Sequence, residues 1–168
     1  MEARKLSNSQ PLPFQLSLRI RHPSMDPADL SRQLGLEAIH SFRAGQPRQS
    51  RSNVTSASVH GESYWLGTLD PTSWPVVTWS SGITGLQLAQ KELGKSVIRN
   101  LGWALSLSAT RLLRTNAALL ERIRTEGGQV SLLVALSPTA VDSFSLAPEV
   151  SRMFSELGIT IEFEITID

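Results

Sequence analysis

The end of the chain constrains the fold most strongly, because a helical pattern changes there to strict alternation within a few residues. From Ile159 onward every second residue is large and apolar, and the residues between are Thr or Glu. A period of two predicts a strand with one face on a core and the other in water. Gly158 stands directly before it, where a helix end favours a residue that tolerates positive φ. We therefore expect a helix from Pro148 and then a strand with inward-facing Ile159, Ile161, Phe163, Ile165 and Ile167.

The start of the folded region repeats this combination of strand and helix. Residues 14–21 alternate between apolar and polar side chains, which predicts a first strand. Asp26 then suits the N-cap of a helix with Pro27 at its first position, and Gly35 suits its end. Further patterns predict strands over residues 64–69 and 130–136 and a helix over residues 103–113. Thr115 and Asn116 then indicate a fresh N-cap for a helix over residues 117–126.

The two capped helices form a weak internal repeat, since each ends in Leu-Gly followed by an aliphatic residue. Two related strand–helix–strand halves are typical of a ferredoxin-like sandwich; chance similarity between two capped helices is the alternative. We expect an α+β fold, ferredoxin-like or a related mixed or antiparallel sheet, with helices on one face. Residues 14–168 would form this single domain after a flexible tail at residues 1–13. A helical insertion would occupy about residues 70–128.

Several short motifs in this order resemble a bacterial family described only as a domain of unknown function, number four-two-seven-nine. The resemblance spans residues 14–168 and implies a bacterial setting and no particular activity, cofactor or catalytic residue. It is compatible with a small binding protein of the immunity type. Its motifs are Leu18-Arg19-Ile20, Asp26-Pro27, Leu34-Gly35-Leu36, Phe42-Arg43-Ala44-Gly45-Gln46-Pro47, Tyr64-Trp65-Leu66, Gly127-Gly128 and Leu157-Gly158-Ile159.

Composition excludes several classes of function. The chain has no cysteine, so disulfides, thiol catalysis and Cys-ligated metals are excluded. No apolar run reaches the roughly 20 residues that span a bilayer, and residues 1–13 lack the apolar core of a signal peptide. A cytoplasmic protein is therefore expected, with no membrane partner. The net charge of +1 gives no support to a nucleic-acid partner.

Two irregular segments are the candidate binding surface. Residues 38–61 contain three arginines and no acidic residue. Residues 72–102 are hard to assign to regular structure and contain two tryptophans outside the predicted core elements. Aromatic anchors beside a cationic rim are common in protein interfaces. The alternatives are a solvated loop and a tryptophan lid over the core. The candidate residues are Arg43, Arg48, Arg51, Trp74 and Trp79.

A catalytic or metal site has less support. The three histidines, His22, His40 and His60, have spacings that match no local ligand motif, so no metal or cofactor is expected. Glu162 and Glu164 lie on one strand face, as paired carboxylates do in acid–base catalysis, but also as a solvated face requires. We therefore expect a non-enzymatic binding or protein-interaction module, with a protein partner or self-association. The alternative is a small enzyme that uses His and carboxylate side chains.

Overall fold

The computed structural model describes residues 14–49, 55–70, 101–136, 146 and 148–165. The predicted tail at residues 1–13 lies outside these residues, as do Arg51, Trp74 and Trp79. Ile167 and the side chains of Trp103 and Ile165 lie outside them as well. The described strands form a five-stranded sheet and a separate two-stranded sheet.

Strand β1 (Phe14–His22) is the centre of the larger sheet. It pairs antiparallel with β5 (Ser63–Leu69) on one side and with β6 (Gln129–Leu136) on the other. The predicted alternation is confirmed, because one face of β1 is fully buried. We call this the inner face and the opposite one the outer face. The inner face of β1 carries Phe14, Leu16, Leu18 and Ile20.

Helix α1 (Pro27–Leu34) begins and ends where its caps predict. The carboxylate of Asp26 accepts a hydrogen bond of 2.9 Å from the amide of Ala28, and Gly35 closes the helix at φ 66°. Leu30 and Leu34 are buried against the inner face. The chain then returns to the sheet as β2 (His40–Phe42), which pairs with β5 and so runs parallel to β1.

A short antiparallel hairpin separates β2 from β5. It consists of β3 (Pro47–Gln49) and β4 (Thr55–Val59) and forms the two-stranded sheet. The strand predicted over residues 64–69 is confirmed as β5, one residue longer at its start.

The described helices between β5 and β6 pack on the inner face. They are α2 (Leu101–Ser108), a π-helical segment (Ala109–Leu113) and α3 (Ala117–Thr125). Asn116 precedes α3 as predicted, but its side chain does not cap this helix. The side-chain amide of Asn116 instead donates to the carbonyl of Leu112, and the hydroxyl of Thr115 donates to the carbonyl of Arg111. Both side chains therefore satisfy carbonyls of the preceding helical turn.

The strand order is β2-β5-β1-β6-β7. Its first four strands, in the order β2-β5-β1-β6, have the antiparallel arrangement of a ferredoxin-like unit. The helical segment that was expected as an insertion connects β5 to β6. It therefore takes the place of the second helix of a ferredoxin-like unit. The fold is α+β, as predicted.

A further strand–helix–strand unit extends this sheet. Helix α4 (Pro148–Glu156) leads from β6 to β7 (Thr160–Ile165), which pairs with β6 in parallel. Gly158 has φ 65°, as its position predicts. Ile159 is buried and Ile161 packs partly on the core.

The exposure of Phe163 differs from the sequence-based expectation. It pairs with Val134 of β6 and so shares the inner face, but its side chain is 42% exposed. The expected deep burial of Phe163 is therefore wrong. The physical reason is that β7 is the edge strand among the described strands, where the core covers an inward side chain incompletely.

Candidate binding surface

Four aromatic rings form a cluster on the outer face at the β2 edge of the sheet. Cross-strand pairing sets Phe42 of β2 opposite Tyr64 of β5, and their rings stack at 5.1 Å with planes only 12° apart. His60 stacks on Phe42 at 3.7 Å between ring centroids. His40 lies at 5.8 Å from Phe42, edge to face, and 5.6 Å from Tyr64. We call His40, Phe42, His60 and Tyr64 the ring cluster.

The ring cluster is accessible from outside. His40 is exposed, and the other three side chains are partly exposed. Aromatic rings contribute most of their energy when they are buried, in cores or in interfaces. A cluster of four rings that remains partly exposed is therefore the candidate site among the described residues.

A tight turn after β2 holds His60 against Phe42. The amide of His60 donates to the carbonyl of Gln46 at 2.9 Å, and the amide of Gly45 donates to the carbonyl of His60 at 2.8 Å. The side chain of Gln46 accepts from the amide of Arg43 within the same turn. Gly45 has φ 80°, which favours glycine. The turn therefore holds the backbone of His60 through both its amide and its carbonyl.

The structure places two of the predicted site residues near this turn. The guanidinium of Arg43 lies 3.2 Å from the carboxylate of Asp26, so it connects the end of β2 to the N-cap of α1. Arg48 is exposed on β3, in the hairpin that leads to His60. Arg51, Trp74 and Trp79 lie outside the described residues, so the predicted contribution of the tryptophans stays a prediction.

A cluster of polar side chains lies elsewhere on the outer face, across β1, β6 and β7. Arg19 of β1, Ser131 of β6 and Glu162 of β7 lie together, and Arg19 forms an ion pair with Glu162. The hydrogen bond from Ser131 lowers the pKa of Glu162, and Arg19 lowers it further against the opposing effect of burial. A general acid near neutral pH needs a raised carboxyl pKa instead. This arrangement therefore favours a structural role for Glu162 over acid catalysis.

His22 has a structural environment on the inner face. It is buried, and its Nδ1 accepts from the amides of Ser24 at 3.1 Å and Met25 at 2.8 Å. The proton of the neutral ring is thus assigned to Nε2. This Nε2 lies 3.2 Å from a carboxylate oxygen of Glu126 but does not form a hydrogen bond with it. The imidazole thereby shapes the turn between β1 and α1.

The three histidines do not converge on one site, since His22 lies on the inner face and His40 and His60 belong to the ring cluster. Within the described ranges no group of three His, Asp or Glu side chains is arranged to hold a metal ion. None of the helices in the described part of the chain is long and apolar enough to cross a membrane.

Sequence reasoning missed the ring cluster as a unit. The available signal was that Tyr64 alternates with the buried Trp65, and that His40 and Phe42 are two residues apart on one strand. This spacing predicts a shared face. The pairing of β2 with β5, which joins the two strands, has no local sequence signal.

Comparison with known proteins gives no relative for this chain. No protein-family model matches it, and no curated protein or solved structure is significantly similar. The family resemblance stated above therefore stays a prediction.

Proposed function

We propose that this protein is a binding module that recognises a protein partner through the ring cluster. The observation that carries the proposal is the partly exposed stack of His40, Phe42, His60 and Tyr64 on the outer face. Aromatic residues supply much of the energy of protein interfaces, and tyrosine is enriched among the residues that contribute most. Cross-strand ring pairs also stabilise a sheet, but sheet stability does not require the exposed His40.

The rigid setting of the rings supports the same function. Phe42 and Tyr64 lie on paired strands, and hydrogen bonds of its backbone amide and carbonyl hold His60. Binding to such a surface costs little conformational entropy, because few side chains have to be ordered on association. Val59 and Ile39, each next to a histidine of the cluster in the sequence, are also exposed apolar side chains.

Site-specific photo-cross-linking tests this function. A photoreactive phenylalanine analogue replaces the exposed His40, and the full chain is irradiated in an extract of the cells that produce it. The matched control carries the analogue at Arg152, an exposed position on α4. We expect a discrete cross-linked product from position 40 and none from position 152. Excess unlabelled wild-type protein should compete the product away.

A second competitor shows whether the rings themselves bind. The variant Tyr64→Ala removes one stacked ring, and its circular dichroism and thermal unfolding show whether the fold persists. If it folds, it should compete much less well than the wild-type protein. The proposal is wrong if position 40 gives no product that wild-type protein competes away. It is equally wrong if folded Tyr64→Ala competes as well as the wild type.

A further inference from the structure

We infer that the partner presents an acidic segment, which the ring cluster and Arg48 bind together; this inference rests on the proposed function. The charge of the surface is the first argument. Residues 38–61 contain three arginines and no Asp or Glu, and the carboxylate of the next residue, Glu62, lies 3.9 Å from the guanidinium of Arg21. Arg43 already pairs with Asp26, and Arg48 is exposed in the hairpin next to His60. Complementary charge favours a negative partner and speeds its association.

The geometry of the rings is the second argument. An aromatic ring is negative on its faces and positive at its edge. Phe42 turns its faces toward His60 and Tyr64, with near-parallel planes 20° and 12° apart. With rings stacked on its faces, Phe42 leaves its positive edge free, and such an edge attracts carboxylate oxygens. Single-stranded nucleic acid needs free ring faces on which bases can stack, so the stacking of Phe42 between two rings favours an acidic protein segment.

The position of the acidic residues is the third argument. Among the described strands, β2 lies at one edge of the sheet and β7 at the other. Glu162 and Glu164 of β7 thus lie across the sheet from the ring cluster. In the sequence, residues 1–120 carry 13 basic and 7 acidic side chains, net +6, and residues 121–168 carry 3 and 8, net −5. On the sheet itself, the carboxylates of β7 disfavour an acidic segment at that edge.

Fluorescence anisotropy tests the inference with the full chain and three labelled probes. The first probe is a peptide rich in Glu that contains Phe, the second has Gln in place of every Glu, and the third is oligothymidylate. We expect saturable binding of the acidic peptide that weakens with added salt, and at least about tenfold weaker binding of the other two.

Two charge-reversal variants locate the site. Arg48→Glu should weaken binding of the acidic peptide about tenfold, as reversal of a charge at an electrostatic interface does. Arg152→Glu makes the same change of charge on exposed α4 and should bind like the wild type. The inference is wrong if the Gln peptide binds equally well, if oligothymidylate binds more tightly, or if the two variants behave alike.

The two proposals fail in different ways. If the acidic peptide does not bind while cross-linking from position 40 persists and is competed by the wild type, the acidic partner is wrong and the binding function stands. If cross-linking also fails, both are wrong. If cross-linking identifies a second copy of this chain, the inference requires the acidic β7 edge as the bound segment, so Glu164→Lys should abolish the product, and a product that persists in this variant contradicts the inference.

Discussion

The indole N–H of Trp65 donates a hydrogen bond of 2.9 Å to the hydroxyl of Ser31. This contact joins β5 to α1, because Trp65 is fully buried on the inner face and Ser31 lies on the helix above it. A buried indole N–H needs such an acceptor. Strand β5 presents Tyr64 of the ring cluster on the outer face. The next residue, Trp65, anchors this strand to α1 on the inner face.

Loss of this acceptor should destabilise the fold. Ser31→Ala leaves the N–H of Trp65 without its partner, which we expect to cost about 1–3 kcal/mol of unfolding free energy. Ser151→Ala, at an exposed position of α4, is the matched control and should change stability by less than about 0.5 kcal/mol. Urea unfolding followed by tryptophan fluorescence and circular dichroism measures both. Equal stability of the two variants would contradict the assigned hydrogen bond.

Gly67 should resist substitution, because the ring of Trp65 occupies the space beside it. A Cβ at this position would lie 2.3 Å from Cη2 and 2.8 Å from Cζ2 of Trp65. Gly67→Ala should therefore cost about 1–3 kcal/mol through overpacking. In Gly61→Ala the new methyl group meets nothing within 4 Å, so this control should remain near wild-type stability in the same denaturation experiment. A Gly67→Ala protein as stable as the control would show that the indole can move aside.

His22 should be replaceable by a residue that keeps its acceptor. His22→Leu removes the nitrogen that accepts from Ser24 and Met25, which should cost about 1–3 kcal/mol. His22→Asn retains a short side-chain acceptor and should recover part of this loss. Amide hydrogen exchange at residues 24 and 25 should quicken in the Leu variant and less in the Asn variant. A ranking in which Asn is the worse substitution would refute the acceptor role.

The stability that Glu162 supplies should depend on pH. Its pKa in the folded state is lowered from 4.5 by Ser131 and Arg19. Its contribution is therefore fully present above about pH 4.5 and is lost as the pH falls through the lowered value. Glu162→Gln should reduce stability at pH 7 by at most about 1 kcal/mol, because the pair is near the surface.

The pH profile checks this assignment. The difference in unfolding free energy between wild type and Glu162→Gln should be constant from pH 7 to pH 5 and shrink at lower pH. When Arg19 is already replaced by Gln, the substitution Glu162→Gln should change the unfolding free energy less at pH 7 than it does in the wild type. A difference that grows on acidification would reverse the sign of the interaction.

Two phenylalanines of the C-terminal unit should differ in their cost of removal. Phe154 of α4 is 1% exposed, so Phe154→Ala should cost about 3–5 kcal/mol. Phe163 of β7 is 42% exposed, and Phe163→Ala should cost clearly less. Guanidinium unfolding of both variants gives the comparison. Equal losses would mean that Phe163 is buried more deeply in solution.

Local sequence determined the elements and their caps. The alternation of residues 14–21 and of the last strand predicted which side chains face inward, because neighbouring residues of a strand point to opposite faces. The carboxylate of Asp26 and the positive φ of Gly35 and Gly158 depend only on nearby backbone, so they too were predictable.

The tertiary structure decided the order of the strands, and with it the candidate site. Periodicity assigned Phe163 to the correct face but gave no information about the edge position of β7, which leaves this side chain exposed. The ring cluster likewise requires residues far apart in the sequence, since Phe42 meets Tyr64 only after β2 pairs with β5. Pairing between distant strands depends on the packing of the whole core, which no local pattern encodes.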